Sequence, residues 1–166
     1  MGYTHYWTPT RSFTDAEWQQ ARDDFAVLFR IAQDYQGNYI ALANGMGEYG
    51  SQPVIAESYI SFNGVDLGVH GDQSHETFEI TRTKSDWAFC KTASKPYDAV
   101  VTAALIYLAA LGTHKPTSDG ERDDWSAGLR LAYRAWPKMR ERLLIPIGND
   151  PEPQVLSTLS TETGEK

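Results

Sequence analysis

The chain reads as an α+β protein: a mostly antiparallel sheet of about five strands packed against three helices. Two features of the sequence lead there. Segments with a two-residue hydrophobic period and segments with a helical period are grouped, in the order strand, helix, a run of strands, then two helices. Such grouping belongs to segregated α+β folds, not to doubly wound parallel sheets. The most apolar run, 99–111, follows the strands and precedes the last helix, where a central buried helix belongs. With 166 residues, 41% of them apolar, the chain can bury one core. One domain over 1–148 and a flexible tail over 149–166, rich in Pro, Glu, Ser and Thr, is the expected division.

Each element has a local cause. Residues 3–8, YTHYWT, are aromatic and β-prone and form a first strand. Thr14-Asp15-Ala16-Glu17 is a capping box, and Trp18, Ala21, Phe25, Leu28, Phe29 and Ala32 follow at spacings that share one helix face. Gly37 is expected to end that helix. Residues 38–43 read as a strand, and 44–53, with three glycines and a proline, as a loop. Residues 54–62 read as one strand, closed by Asn63-Gly64 as a hairpin turn. In 77–82, Phe78 and Ile80 alternate with Glu79 and Thr81; in 86–91, Trp87 and Phe89 stand opposite Ala88 and Cys90. The central helix spans 96–111 and stops at Gly112. A third helix covers about 120–136, with Glu121, Asp123 and Asp124 in its first turn and Trp125, Leu129, Ala132, Tyr133 and Trp136 on its inner face.

Composition excludes several functions. A net charge of -7 lacks the basic face that non-specific nucleic-acid binding needs. A single cysteine makes no internal disulfide and no multi-cysteine zinc site, and suits a reducing cytoplasm. The opening MGYTHYWTPT carries no basic-then-apolar signal sequence. The 99–111 run falls short of the roughly 20 residues of a membrane helix and is interrupted by Thr102 and Tyr107. Gly45-Met46-Gly47-Glu48-Tyr49-Gly50 spells G-x-G-x-x-G, but Pro53 and a β-branched segment follow where the dinucleotide motif needs a helix, so the nicotinamide reading is rejected.

The segment FCKTASKPYD, 89–98, is the best candidate for chemistry. Ser94 suits an N-cap and Pro96 a first turn. Free amides at that helix end, with Lys91, Thr92 and Lys95 beside them, would favour a phosphate or carboxylate. The plainer alternative is a capped helix with two solvated lysines. Cys90 near that end could be a thiolate nucleophile, with His5, His70 or His75 as base and Asp98 or Glu76 as orienter; otherwise it is a small buried hydrophobe. Tyr3, His5 and Trp7 share one strand face, which stacks on a ligand ring if wet and joins the core if dry. His70, His75 and Glu76 lack a second cluster to complete a metal site. Arg130, Arg134, Lys138, Arg140 and Arg142 form a basic stretch, either a solvated face or a dock for an acidic partner.

The words MGYTHYW, Phe62-Asn63-Gly64, His75-Glu76-Thr77-Phe78 and FCKTASKPYD together resemble a family of uncharacterised phage and prophage proteins, over roughly residues 1–111. The family pattern has an arginine where this chain has Ser94, so one cation of the cradle is absent here. The resemblance implies a viral accessory role, such as antagonism of host defence, in the host cytoplasm. The leading expectation is a non-enzymatic protein that binds a small anionic, nucleotide-like ligand through Tyr3, His5, Trp7, Asn63, His75, Glu76, Lys91, Thr92, Ser94, Lys95 and Tyr97, without cofactor or metal. The alternatives are an inhibitor that docks on a host protein complex and a Cys90-dependent hydrolase or transferase.

Overall fold

Thr14 and Glu17 start the first helix as a reciprocal capping box: Glu17 N–H donates to Thr14 Oγ1 at 3.1 Å, and Thr14 N–H donates to Glu17 Oε1 at 2.9 Å. The computed structural model describes residues 3–148, so the tail expected at 149–166 lies outside the described residues. The elements are β1 (Thr4–Pro9), α1 (Asp15–Ala32), β2 (Val54–Ile55), β3 (Tyr59–Phe62), β4 (Phe78–Thr81), β5 (Ala88–Lys91), α2 (Asp98–Leu111), β6 (His114–Ser118) and α3 (Ser126–Ala135). Short 3-10 turns cover Gly68–His70, Arg122–Trp125 and Pro137–Arg142.

The fold class is α+β, but the expected single sheet of about five strands is two three-stranded antiparallel sheets, ordered β5-β1-β6 and β2-β3-β4. One line of buried rings joins them: Trp7 to Phe78 (4.9 Å), Phe78 to Phe62 (4.9 Å), Phe62 to Phe29 (5.2 Å), Phe29 to Phe25 (5.9 Å), Phe25 to Tyr107 (5.8 Å) and Tyr107 to Trp136 (4.6 Å). The line runs through β1, β4, β3, α1 and α2 and ends at Trp136, just past α3. α2 lies in the middle, with every residue from Val100 to Leu108 buried. Gly112 ends it in the left-handed conformation (φ 76°). α3 approaches α2 at Gly128, where a Cβ would overlap Thr102 Oγ1.

Several local expectations are corrected. The strand expected over 54–62 breaks at a turn in which Ala56 N–H bonds Tyr59 O, and the Trp18 indole N–H holds Glu57 O at 2.7 Å. Asn63-Gly64 is therefore not the hairpin turn; Asn63 is buried and forms an isolated bridge with Ala43, all that remains of the strand expected at 38–43. Gly64 is needed because a Cβ would overlap Gln73 O. α1 ends at Ala32, before Gly37, because the chain turns back and Ile40 N–H takes the Ala32 carbonyl. The helix expected over 120–136 splits into the Arg122–Trp125 turn and α3. Its inner face is Gly128, Leu131, Ala132 and Ala135, leaving Leu129 and Tyr133 half-buried; Arg140 lies 4.3 Å over the Tyr133 ring.

β6 has no counterpart among the expected elements, since HKPTS is polar and holds a proline. Among the described residues it pairs only with β1, as an edge strand tolerates. His114 at its start is 4% exposed, with Nδ1 2.8 Å from Thr113 Oγ1 and the Phe13 ring 5.8 Å away. Burial pulls its imidazole down to about 4. The unfolded chain takes up this proton near pH 6.5, so stability is complete above that pH and is lost as pH falls towards 4. Urea unfolding at pH 7 and pH 4.5 should differ by about 2–3 kcal/mol through this residue, and His114→Gln should flatten that difference.

Candidate functional site

Tertiary pairing assembles the polar residues around the start of α2. β1 and β5 pair with Thr4 opposite Lys91 and His5 opposite Cys90, and Thr92 N–H continues the ladder to Tyr3 O at 3.1 Å. Ala93 and Ser94 then take left-handed conformations (φ 52° and 57°), costing roughly 1–2 kcal/mol each for non-glycine residues. They turn the chain so that Lys95 N–H bonds Thr92 O and Asp98 N–H bonds Lys95 O. Ser94 is consequently exposed and is not the helix cap; that position is held by Tyr97, whose side chain is buried.

Asp98, the first residue of α2, puts its own carboxylate where the sequence suggested an incoming anion. Its Oδ1 accepts from His5 Nε2 at 2.6 Å and from Thr92 Oγ1 at 2.5 Å. His5 is fully buried, and its Nδ1 lies 2.8 Å from Ser118 Oγ, which also accepts from Gly120 N–H at 2.9 Å. Tyr3 and Trp125 meet the His5 ring edge-on, at 4.8 and 5.2 Å. Lys95 is engaged as well: its ammonium donates to Asp72 O at 2.6 Å. Beside this group is a cavity of about 400 Å³ lined by Tyr3, Ser94, Lys95, Asp98 and Asp124, among others. The Tyr3 hydroxyl and the Trp125 indole nitrogen are buried and have no partner among the described residues. Burial and the nearby Asp98 and Asp124 raise the Tyr3 phenol well above the usual tyrosine range, so it stays a neutral donor.

A second group knits loops together. Asn63 donates to Gly45 O and His75 O and accepts from the Gly64 and His75 amides. Glu76 Oε2 accepts from Lys91 N–H at 2.6 Å, Glu76 N–H bonds Lys91 O, and His75 Nδ1 lies 2.8 Å from Lys91 O. Tyr97 is buried and its hydroxyl donates to Glu76 O at 2.7 Å. These side chains satisfy one another and the free edge of β5. Cys90 is part of the same packing: it is fully buried, its thiol donates to Glu76 O, and burial pushes it up to about 12. A thiol this buried packs as a small hydrophobe, and its surroundings do not favour the thiolate a Cys90 enzyme would need. No group of three or more His, Cys, Asp or Glu among the described residues could hold a metal ion.

The face shared by Tyr3, His5 and Trp7 turns inward: Trp7 is 2% exposed and packs on Phe78, away from the other candidates. The opposite face of the same sheet is the wet one. Cross-strand register sets Phe89–Tyr6–Thr117 in one row and Thr8–Lys115 in the next, with Thr4–Lys91 on the other side. Trp87 and Phe89 are 60% and 50% exposed. Tyr6, Trp87 and Phe89 form one cluster, with ring centroids 6.4, 6.5 and 5.6 Å apart. The alternation of Trp87 and Phe89 against Cys90 was the available sequence signal for this patch, but which face would be dry was not. The basic stretch remains outside both sites: Arg130, Arg134, Lys138, Arg140 and Arg142 are exposed, apart from the Arg140 contact with Tyr133 and an Arg142 bond to Ala110 O. No helix among the described residues is long and apolar enough to cross a membrane.

Removing the carboxylate that His5 and Thr92 share leaves two buried groups unpaired. Asp98→Ala should cost about 2–4 kcal/mol in urea unfolding, against about 1 kcal/mol for Thr92→Val; equal losses would mean that Asp98 does not organise the cluster. Comparison with known proteins finds no matching family, no matching curated protein and no matching solved structure, so the functional reading rests on this geometry.

Proposed function

We propose that the chain is a non-enzymatic binding protein that docks on another protein through the open face of the β5-β1-β6 sheet. The observation that carries this reading is the contiguous, half-exposed cluster of Tyr6, Trp87 and Phe89. Clustered exposed aromatics are costly to leave in water, and Trp and Tyr are the usual energetic anchors of interfaces. The patch is a sheet face, whereas small ligands are generally held in concave sites. Its short, exposed Thr8 and Thr117 neighbours lose little side-chain entropy on contact, and Lys91 and Lys115 supply charge at the rim. The net charge of -7 speaks against a nucleic-acid partner. The resemblance to phage proteins supports a host complex in the host cytoplasm as the target and antagonism of host defence as the role. Affinity capture from host lysate should retain a partner on the unmodified chain and lose it, by at least tenfold, on Trp87→Ala with Phe89→Ala. Equal retention by that variant, folded by circular dichroism, would remove the face from the interaction.

A second reading, a small ligand in the cavity beside α2, is favoured by the convergence of Tyr3, Lys95, Asp98 and Asp124 on its lining. A nucleotide-like ligand would place its ring against Tyr3 and its phosphate towards Lys95. Asp98 and Asp124 share that wall, so a ligand that also carries an amine fits the charge better. Calorimetry with nucleotides, cyclic nucleotides and polyamines should give heat that Tyr3→Ala abolishes; silence at millimolar concentration from all three classes rejects the ligand reading.

A further inference from the structure

A cavity of about 430 Å³ lies between the middle of α1 and the chain that leaves α3. Gln20 and Asp24, one helical turn apart on α1, line one side; Trp136, Pro137, Lys138 and Met139 are among the residues on the other. Its size falls within the roughly 300–1,000 Å³ of small-molecule sites, and its lining has their pattern, mostly apolar with a few fixed polar groups. Local sequence explains the shape. α3 stops at Ala135, Trp136 leaves helical geometry (φ -132°, ψ 64°), and Pro137 opens the 3-10 turn Pro137–Arg142. Trp136 is anchored where it leaves: its ring packs on Tyr107 at 4.6 Å, and its indole N–H donates to Asp24 O at 3.1 Å. One wall is therefore a fixed, buried ring, and Met139 near it is a half-buried, flexible side chain that adapts to what it meets.

Two opposite charges line this cavity without meeting. The Asp24 carboxylate is half-buried and is oriented by two neutral donors: Tyr107 Oη donates to Oδ2 at 2.6 Å, and Gln20 Nε2 donates to Oδ1 at 3.0 Å. Tyr107 is fully buried, and burial together with the Asp24 hydrogen bond raises its phenol well above the usual tyrosine range. It remains a donor and leaves the charge of the carboxylate in place. Asp24 and the exposed Lys138 form no ion pair among the described residues. Arg142, whose charge reaches the Tyr107 phenol, bonds Ala110 O instead and is not among the lining residues. A carboxylate partly withdrawn from water without a counter-charge is costly, and a ligand cation beside it offsets that cost. We propose that this cavity binds an amino acid with an apolar side chain, its ammonium against Asp24, its carboxylate towards Lys138 and its side chain on the wall of Trp136, Pro137 and Met139. A simple amine leaves Lys138 unanswered and a simple acid is repelled by Asp24, whereas a zwitterion answers both. The site shares no lining residue with the cavity beside α2 and none with the aromatic face, so the inference stands or falls separately from both readings of function.

Calorimetry on the full chain tests it, with L-leucine, L-methionine, L-phenylalanine and L-tryptophan titrated beside their N-acetyl and methyl ester derivatives. At least one free amino acid should bind at submillimolar concentration. Its N-acetyl derivative, which lacks the ammonium, and its methyl ester, which lacks the carboxylate, should each bind roughly tenfold more weakly. Asp24→Asn keeps a carbonyl oxygen for Tyr107 and removes the charge, and it should weaken binding of the free amino acid by a similar factor. Lys138→Gln, at an exposed position, should weaken the free amino acid and leave the methyl ester unaffected. Silence from all four amino acids at millimolar concentration would overturn the proposal. Equal binding of a free amino acid and its two derivatives would also overturn it, by assigning the cavity to apolar contact alone.

Discussion

Burial of α2 is the constraint on which the rest of the structure depends. Nine successive residues, Val100 to Leu108, lose their contact with water, so every neighbouring element must present an apolar side to this helix. At about 1.5–3 kcal/mol for each large apolar side chain fully buried, this term exceeds any polar contact in the molecule. It explains why α3 brings a glycine against Thr102, and why the rings from Trp7 to Trp136 form one connected line.

The buried helix also sets the chemistry at its first turn. Its amide end must be neutralised in a place with little water, and Asp98 does this from within the chain. His5, Thr92 and Ser118 then answer the carboxylate and one another. The residues rich in hydrogen-bonding groups that look like a ligand cradle when read in order are thus largely occupied with the protein itself. What they leave over is small: one tyrosine hydroxyl, one indole N–H and a cavity edged with two carboxylates and a lysine already bound to a carbonyl.

The same sheet that seals the core on one side is open on the other. Alternation along β1 sends His5 and Trp7 inward and Tyr6 and Thr8 outward, and pairing with β5 aligns Phe89 with Tyr6. An interior that already holds this many rings has no need of Tyr6, Trp87 and Phe89. Their exposure is the observation on which the proposed docking face rests.

Much of the local structure was determined by the sequence itself. The Thr14–Glu17 cap, the apolar face of α1, the all-round apolar character of α2 and its stop at Gly112 are decided by residues within a few positions of one another, where backbone geometry leaves little choice. The α+β class followed from those segments. What only the tertiary structure decided were long-range matters: that the strands form two sheets, that HKPTS completes one of them as β6, that Asn63 bridges to Ala43, and which face of β1 is dry. Strand pairing joins residues as far apart as His5 and Ser118, and nothing local to either records the partner. The ligand expectation for 89–98 shows the same limit. Ser94 and Lys95 have the right chemistry for an anion site, but two left-handed residues and a carboxylate hydrogen-bonded to the imidazole of a distant strand decide where that chemistry points.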